Sequence, residues 1–268
     1  MTKKRLVIFG DSNSFITQIL YQKLLKEITF SNFKIVGIVN TTPFMPTNFV
    51  KNILSFAVKK LFNPFDKRIT YNKYATFLKD VNKKLLLETS NVNDEKFLVT
   101  IRELKPDFAI LIGCPQIFKT EIIACFNKVI NYHNSLLPQY RGLEATSWSM
   151  QYNEKYTGFT YHYIDAGIDT GNIVIQDKIE IDYTKSSFEL EIEKTKLASK
   201  KLVELLNLVS DGYEGIRQNG ESSYFGKKEK EKLLTLKELK DIKMIEKFTY
   251  IWDGYSSTKI TKPSLLQG

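Results

Sequence analysis

The sequence predicts an α/β fold, and three observations support this. Short apolar, β-branched runs alternate with apolar residues at helical spacing through the first part of the chain. Polar loops follow the ends of several of these runs. After residue 185, strand-like patterns largely give way to helical spacing. We therefore predict a doubly wound, Rossmann-like sheet in a first domain, residues 1–185, and a small hairpin-plus-helix module in residues 186–268.

The elements of the first domain follow from apolar spacing and from the residues that stop each run. Short apolar runs are typical of buried parallel strands, and they are predicted at residues 6–9, 33–39, 85–87 and 108–112 and in a run ending at 129–130. Apolar residues at helical spacing predict helices at residues 15–28, 48–62 and 95–104. Asp94 can cap the last of these helices, and Pro106 stops it.

The C-terminal module is predicted from a capping sequence, a turn sequence and a further helical repeat. Ser186 and Glu189 have the spacing of a capping box, so a helix is expected from residue 186 to about residue 209. An Asn-Gly pair within residues 216–222 favours a hairpin. Residues 233 to about 252 are expected to form another helix.

Composition and charge limit the class of protein. The chain has 268 residues, enough for one large or two modest domains. It contains no apolar run of about 18 residues, so no membrane span is predicted. Residues 6–9 are too few for the apolar core of a signal peptide, and Cys114 and Cys125 are expected to be free thiols, so we expect a cytoplasmic protein. The formal charge of +9 favours phosphorylated ligands, although paired lysines are also typical of solvated helix faces.

The most informative stretch is residues 129–173, which holds both histidines of the chain. Asn131 and His133 follow an apolar run at a spacing of two, so a strand would point both side chains to one face. The carboxyl end of a strand is also where open α/β sheets bind ligands. Residues 159–164 predict another strand, on which His162 is expected to be a structural histidine close to the site.

A glycine-bounded turn after residue 164 supplies a carboxylate, from either Asp165 or Asp169. Either aspartate could instead be only a turn former. An Asn, a His and an Asp brought together can transfer an acyl group to an amine without a serine or cysteine nucleophile. The imidazole takes the proton of the amine, the amide donates to the developing oxyanion, and the carboxylate orients the imidazole.

Two motifs in this stretch carry a family resemblance. Residues 131–138 read Asn-Tyr-His-Asn-Ser-Leu-Leu-Pro, and residues 158–160 and 168–171 read Gly-Phe-Thr and Ile-Asp-Thr-Gly. The chain thereby resembles, over roughly residues 4–180, the formyltransferases that use 10-formyltetrahydrofolate. That family includes glycinamide ribonucleotide transformylase, methionyl-tRNA formyltransferase and the sugar N-formyltransferases. The resemblance implies that Asn131, His133 and Asp169 are the catalytic trio. No metal is expected, because the two cysteines have no nearby histidines at the spacing of a zinc site.

The resemblance also implies where 10-formyltetrahydrofolate binds. In the family, the loop after the central strand borders the pterin, so the cosubstrate-binding residues are expected to be Gln116, Ile117, Phe118, Asp165 and Ala166. The family often has Tyr-Gly-x-Ile-Leu-Pro in this loop, and this chain departs from that pattern at residues 114–115 and 118–119. Side chains of such a loop can also serve only as helix caps.

The acceptor-binding residues are expected to be Ser12, Asn13 and Arg141. Ser12 and Asn13 lie in a loop that meets a predicted helix N-terminus, which can bind an anion or be an ordinary capped turn.

The C-terminal module favours a nucleotide-linked amino deoxysugar as acceptor. Methionyl-tRNA formyltransferases add an oligonucleotide-binding-type barrel, and fewer than 60 residues follow residue 209 here. Glycinamide ribonucleotide transformylases usually stop soon after the first domain, whereas sugar enzymes often carry a small dimerisation module. We therefore expect a homodimer that binds no nucleic acid. The alternatives are a methionyl-tRNA formyltransferase and a non-catalytic folate- or RNA-binding module, which the positive charge would suit.

Overall fold

The computed structural model describes residues 2–12, 14–29, 31–42 and 82–230. Its strands are β1 (Lys4–Gly10), β2 (Phe33–Asn40), β3 (Leu86–Glu88), β4 (Phe108–Ile112), β5 (Lys128–His133), β6 (Arg141–Gly142), β7 (Tyr156–Tyr163), β8 (Ile173–Glu180) and β9 (Tyr224–Phe225). Seven of them form one sheet in the order β3-β2-β1-β4-β5-β7-β8, and β6 pairs with β9 in a second sheet. The strands from β3 to β5 run parallel, and β7 is antiparallel to both β5 and β8.

Helices cover both faces of the seven-stranded sheet. They are α1 (Phe15–Ile28), α2 (Glu95–Glu103), α3 (Thr120–Ile123), α4 (Ala145–Gln151), α5 (Ser187–Lys200) and α6 (Leu202–Ser210), with a 3₁₀ turn at Lys83–Leu85. Side chains of α1, α5 and α6 share one hydrophobic core, represented by Leu20, Ala198 and Leu205. Side chains of α2 and α3 share the other, represented by Phe97 and Ile122. The doubly wound α/β fold predicted from the sequence is confirmed.

The strand order positions the site. Strands β1 and β4 are neighbours, and the chain leaves them toward opposite edges of the sheet, which creates a crevice at their carboxyl ends. β4 is a continuously buried apolar run, and β1 is buried from Leu6 onward, as expected for parallel strands covered on both faces. Strand β5 lies beside β4 and runs to His133, so Asn131 and His133 lie at this same edge.

Two predicted helix starts are confirmed by their caps. The side chain of Asp94 accepts hydrogen bonds from the backbone N–H groups of Lys96 and Phe97. Ser186 and Glu189 form the reciprocal capping box. The single helix predicted from residue 186 to about 209 is instead two helices that meet at Lys201. The N–H of Lys201 bonds to the carbonyl of Ala198, three residues back, so the α-helical ladder is interrupted there.

The hairpin predicted within residues 216–222 is wrong. Ile216 forms an antiparallel bridge with Ile173 through two backbone hydrogen bonds of 2.8 Å. Tyr224 and Phe225 pair in parallel with β6. Gly220 has the positive φ of 97° that lets the chain bend, but the segments on its two sides bond to different parts of the first domain. A turn sequence reports the local bend and carries no information about these distant partners.

Several predictions fall on residues that the structure does not describe. They are the helix over residues 48–62, the helix from residue 233 to about 252, and the acceptor assignment of Asn13. The domain boundary near residue 185 stays a prediction, and α5 and α6 beyond it pack into the core that α1 also occupies. Across the described ranges, no helix combines the length and the apolar character needed to cross a bilayer.

Candidate active site

A cavity of about 430 Å³ opens beside the carboxyl ends of β4 and β5. Residues 113–118 form one wall, and residues 131–133 with His162 form the base. Residues of the turn after β7, including Asp165 and Asp169, form another wall. Residues from β6 and from the region of β9 complete the lining. This volume is in the range of small-molecule sites, which span roughly 300–1,000 Å³.

The three predicted catalytic side chains meet at the base of this cavity. His133 Nδ1 lies 3.4 Å from Asp169 Oδ2, and Asn131 Nδ2 lies 3.5 Å from Asp169 Oδ1. Asn131 and His133 share a face of β5, as their spacing predicted. Asp165 does not make these contacts, because its Oδ1 accepts hydrogen bonds from the N–H of Gly167 and the hydroxyl of Thr170. The geometry therefore favours Asp169 over Asp165 as the partner of His133.

The surroundings of His133 define which nitrogen can accept a proton. Its Nε2 lies 2.9 Å from the carbonyl oxygen of Tyr140, which can only accept, so Nε2 carries the hydrogen. In the neutral ring Nδ1 is then the basic nitrogen, and it faces Asp169. Burial lowers the pKa of His133, and this effect outweighs the carboxylate of Asp169, which raises it, while His162 and Lys194 lower it further. The imidazole is therefore neutral at pH 7 and able to act as a base.

Asp169 is held as a carboxylate at this site. Burial alone would raise its pKa, but His133 and His162 in their protonated forms, together with the N–H of Gly142, hold the pKa well below its usual range. The Gly142 N–H donates to Oδ2 at 2.8 Å. Asp169 itself has a φ of 53°, in the left-handed region that aspartate tolerates better than most residues.

Glycine at position 142 is required by this arrangement. Its φ is 87°, and a Cβ there would lie 2.4 Å from the carbonyl oxygen of Phe225. The close pairing of β6 with β9 and the N–H donated to Asp169 therefore depend on the same glycine.

His162 belongs to the site, although the sequence predicted only a structural histidine close to it. It is 1% exposed and lies opposite Asn131 in the β5–β7 pair. Its Nδ1 lies 2.7 Å from the carbonyl of Tyr163, so Nδ1 donates and Nε2 is left to accept. Nε2 is 3.1 Å from Asn131 Nδ2 and 3.5 Å from Asp169 Oδ1. Its position on the predicted strand over residues 159–164, just before the turn with the aspartates, is the feature of the sequence that could have indicated a place in the site.

The loop after β4 supplies three of the five residues assigned to the cosubstrate, Gln116, Ile117 and Phe118. Gln116 joins two neighbouring loops, because its Nε2 donates to the Thr41 carbonyl and its Oε1 accepts from the Val92 N–H, each at 2.7 Å. Ile117 is 68% exposed, whereas Phe118 is buried. All three line the cavity.

The lining is suited to a flat heteroaromatic group with polar edges, such as a pterin. Leu111, Phe118 and Ile164 are apolar lining residues, and Gln116 and Asp165 are polar residues of the same cavity.

The remaining predicted site residues are only partly brought to the cavity. Ala166 is exposed and does not belong to the lining, although Asp165 does. Ser12 is buried after β1, where its N–H donates to Asn40 Oδ1 at 3.2 Å, and it too is outside the lining. The guanidinium of Arg141 donates to Gln218 Oε1 from Nε and Nη2, at 3.2 and 2.6 Å.

Residues 216–227 contribute to the site, which the sequence analysis did not foresee. Tyr224, Gly226 and Lys227 line the cavity. Gln218 Nε2 donates to the carbonyls of Asp169 and Gly171, each at 2.8 Å. Nothing in a single sequence links these residues to the motif stretch. Within the described part of the chain, no group of three His, Cys, Asp or Glu side chains could hold a metal ion.

Several known proteins similar to this chain are formyltransferases by name. The sequence model of the family described as formyl transferase matches residues 45–206, which is more than half of the chain. A methionyl-tRNA formyltransferase from Clostridium tetani is 30% identical over 229 residues, covering 80% of this chain and 73% of that relative. A GDP-perosamine N-formyltransferase from Brucella melitensis is 31% identical over 140 residues, covering 52% of this chain and 54% of that relative.

Two solved structures show the shared fold. A sugar N-formyltransferase from Shewanella superposes with a TM-score of 0.58 at 18% identity, covering 84% of this chain and 77% of that one. A glycinamide ribonucleotide transformylase from Symbiobacterium toebii gives a TM-score of 0.59 at 16% identity, covering 82% and 95%. The sequence relatives divide between tRNA and sugar acceptors, and several are matched over only about half of their length.

Proposed function

Because this chain belongs to the formyltransferase family, we propose that it transfers the formyl group of 10-formyltetrahydrofolate to the primary amine of a nucleotide-linked amino deoxysugar. The observation that carries the reaction is the contact of His133 and Asn131 with Asp169 at the base of the cavity. The wall formed by residues 113–118 would hold the folate, and the amine would enter beside residues 142–143 and Tyr224.

The proposed mechanism is direct attack of the free amine on the formyl carbon. As the new C–N bond forms, Nδ1 of His133 takes a proton from the amine nitrogen. The imidazolium so formed carries two N–H groups, one to the Tyr140 carbonyl and one toward Asp169 Oδ2. The carboxylate thus stabilises the charge that appears on His133. The intermediate then collapses, its bond to N10 breaks, and the imidazolium gives its proton to N10, so that tetrahydrofolate leaves and His133 returns to its neutral form.

The formyl oxygen would be stabilised by the amide of Asn131. One hydrogen of its Nδ2 is directed to His162 Nε2 at 3.1 Å. The other has only a 3.5 Å contact with Asp169 Oδ1, at the long limit of a hydrogen bond. That second hydrogen is available to a developing oxyanion, which would bind it more strongly than this long contact does.

The amino-sugar acceptor is supported by the Brucella relative, whose name specifies a nucleotide-linked sugar amine. The positive charge of the chain suits a ligand with a pyrophosphate. A methionyl-tRNA acceptor is the second candidate, and it is favoured by the longer match to the Clostridium tetani relative. We also propose a homodimer in solution, which light scattering on the full chain would test.

The test is formyl transfer from 10-formyltetrahydrofolate by the purified full chain. The acceptors are a panel of nucleotide-linked amino sugars, methionyl-tRNA and glycinamide ribonucleotide, and the readout is a mass gain of one formyl group. We expect transfer to an amino sugar with tRNA unmodified. Formylation of methionyl-tRNA, with binding that weakens steeply as salt rises, would replace this proposal with the second candidate. Transfer to none of the amines would overturn both.

A further inference from the structure

The side chain of Gln218 binds the backbone of the turn that carries Asp169. Its amide nitrogen donates to the carbonyls of Asp169 and Gly171, each at 2.8 Å, and so spans the turn on which Asp169 lies. Its amide oxygen accepts both contacts from the Arg141 guanidinium. Gln218 therefore uses both ends of its side chain and joins the Asp169 turn to strand β6.

The same turn is fixed from its other side by β6. Gly142, next to Arg141, donates its N–H to Asp169 Oδ2 at 2.8 Å. Strand β6 in turn pairs with β9, and the Arg141 N–H bonds to the Ser223 carbonyl at 2.9 Å. Residues 218–225 thus reach Asp169 by two routes, one to its backbone and one to its carboxylate.

The conformation of Asp169 needs such support. A non-glycine residue at a φ of 53° is in a sparsely populated region, and such residues persist where the surrounding structure determines them from several sides. Gly171 is buried, and a Cβ there would lie 1.9 Å from the Tyr163 carbonyl, so the turn has no room to shift toward β7. Gln218 supplies the two hydrogen bonds that hold the opposite side of the turn.

We infer that Gln218 is a positioning residue for Asp169, which sets the distance between that carboxylate and His133 Nδ1. The inference rests on the roles proposed above for Asp169 and His133. It assigns to the segment after α6 a part in the chemistry, in addition to any part in acceptor binding or assembly.

The test uses the fact that the chain has only two histidines. Their imidazole signals can be followed by NMR against pH in the free protein, with the His133→Gln variant assigning the signals. Loss of the Asp169 charge removes the influence that raises the His133 pKa, so Asp169→Asn should lower that pKa by on the order of one unit. Gln218→Met, which has similar length and no donor, should lower it by roughly half of that shift.

Two variants separate this role from loss of structure. Arg217→Met removes an exposed side chain from the neighbouring position and should leave the His133 titration unchanged. Arg141→Met removes the contact with Gln218 Oε1 but keeps both bonds from Nε2, so its shift should be smaller than that of Gln218→Met. Circular dichroism and the melting temperature of each variant establish that it is folded.

Turnover gives an independent readout. Gln218→Met should lower kcat about 10-fold with little change in KM, and it should lower kcat no further when Asp169 is already Asn. Additive losses in the double variant, or an unmoved His133 titration in folded Gln218→Met, would overturn the inference. The NMR result does not depend on the acceptor, so failure of the proposed function and failure of the Gln218 role are separately observable.

Discussion

Asn131 Nδ2 donates a hydrogen bond of 3.1 Å to Nε2 of His162, its partner across the β5–β7 pair. His162 is fixed in turn, because its Nδ1 donates to the Tyr163 carbonyl at 2.7 Å. The imidazole therefore determines which way the amide of Asn131 faces. The NH₂ group of Asn131 is thereby directed into the cavity, as its proposed role of oxyanion donor requires.

His162→Met should reduce kcat by about 10-fold, because the variant keeps the volume and loses the acceptor that orients Asn131, a hydrogen bond worth roughly 0.5–1.5 kcal/mol. Steady-state kinetics with 10-formyltetrahydrofolate would measure it. Asn131→Ala should lose on the order of 10²–10³-fold, as removal of an oxyanion donor does. In that background His162→Met should add nothing, and a further 10-fold loss would mean that His162 acts by another route.

His133→Asn should lower the rate by on the order of 10²–10⁴-fold, because the variant has no base to take the amine proton. Folding should be retained, since the asparagine amide can still donate a hydrogen bond in this pocket. Single-turnover measurements would isolate the chemical step, and circular dichroism would verify the fold. More than about a tenth of the wild-type rate would exclude His133 as the general base.

The pH profile should report His133 directly. The pKa of His133 lies below the ordinary value of 6.5, so the rate should be level near pH 7. The rate should fall only when the pH drops below 6.5 and the imidazole becomes charged. Asp169→Asn removes the group that raises this pKa, so its acid limb should move to still lower pH. The plateau should also drop, because the imidazolium loses its partner. An unmoved limb with a full plateau would leave Asp169 as a turn residue only.

Lys194 should be important for stability because it is fully buried beneath the site. Its Nζ donates to the carbonyl of Asn134, next to His133, and to the hydroxyls of Thr146 and Thr157. Burial lowers its pKa, and burial raises the pKa of its neighbour Glu191. Lys194→Met should cost on the order of 1–3 kcal/mol of unfolding free energy, since the buried acceptors at Asn134 and Thr157 lose their donor.

The matched control for that variant is Lys196→Met, which removes an exposed lysine from the same helix and should change stability by less than about 0.5 kcal/mol. Urea unfolding of both proteins gives the comparison. Equal effects of the two substitutions would show that the buried position of Lys194 contributes nothing specific.

The features that could be predicted from the sequence were those that depend on near neighbours. The spacing of Asn131 and His133 predicted their common face, and Ser186 with Glu189 predicted a helix start. The prediction of a hairpin was wrong because Ile216 pairs with Ile173, which is distant in the sequence. His162 was assigned to structure for a similar reason, since its role depends on a residue of another strand.

The contact of Gln218 with the Asp169 turn could not be predicted from the sequence. Gln218 lies 49 residues from Asp169, within a segment whose composition indicated only a turn. Hydrogen bonds between such distant residues depend on the route of the chain after α6, which is set by packing and not by local preference.

The pairing of β6 with β9 joins residues 83 positions apart, counted from Arg141 to Tyr224. Long loops close late in folding because their entropy is lost before their contacts are gained. During synthesis, the whole seven-stranded sheet is complete once β8 has emerged, while Gln218 and β9 are still to come. A nascent chain at that stage contains both histidines and Asp169 but lacks the hydrogen bonds from Gln218 and the β6–β9 pairing that hold the Asp169 turn. We therefore expect catalytic competence to appear after the sheet has formed, so that recovery of activity lags recovery of secondary structure on refolding.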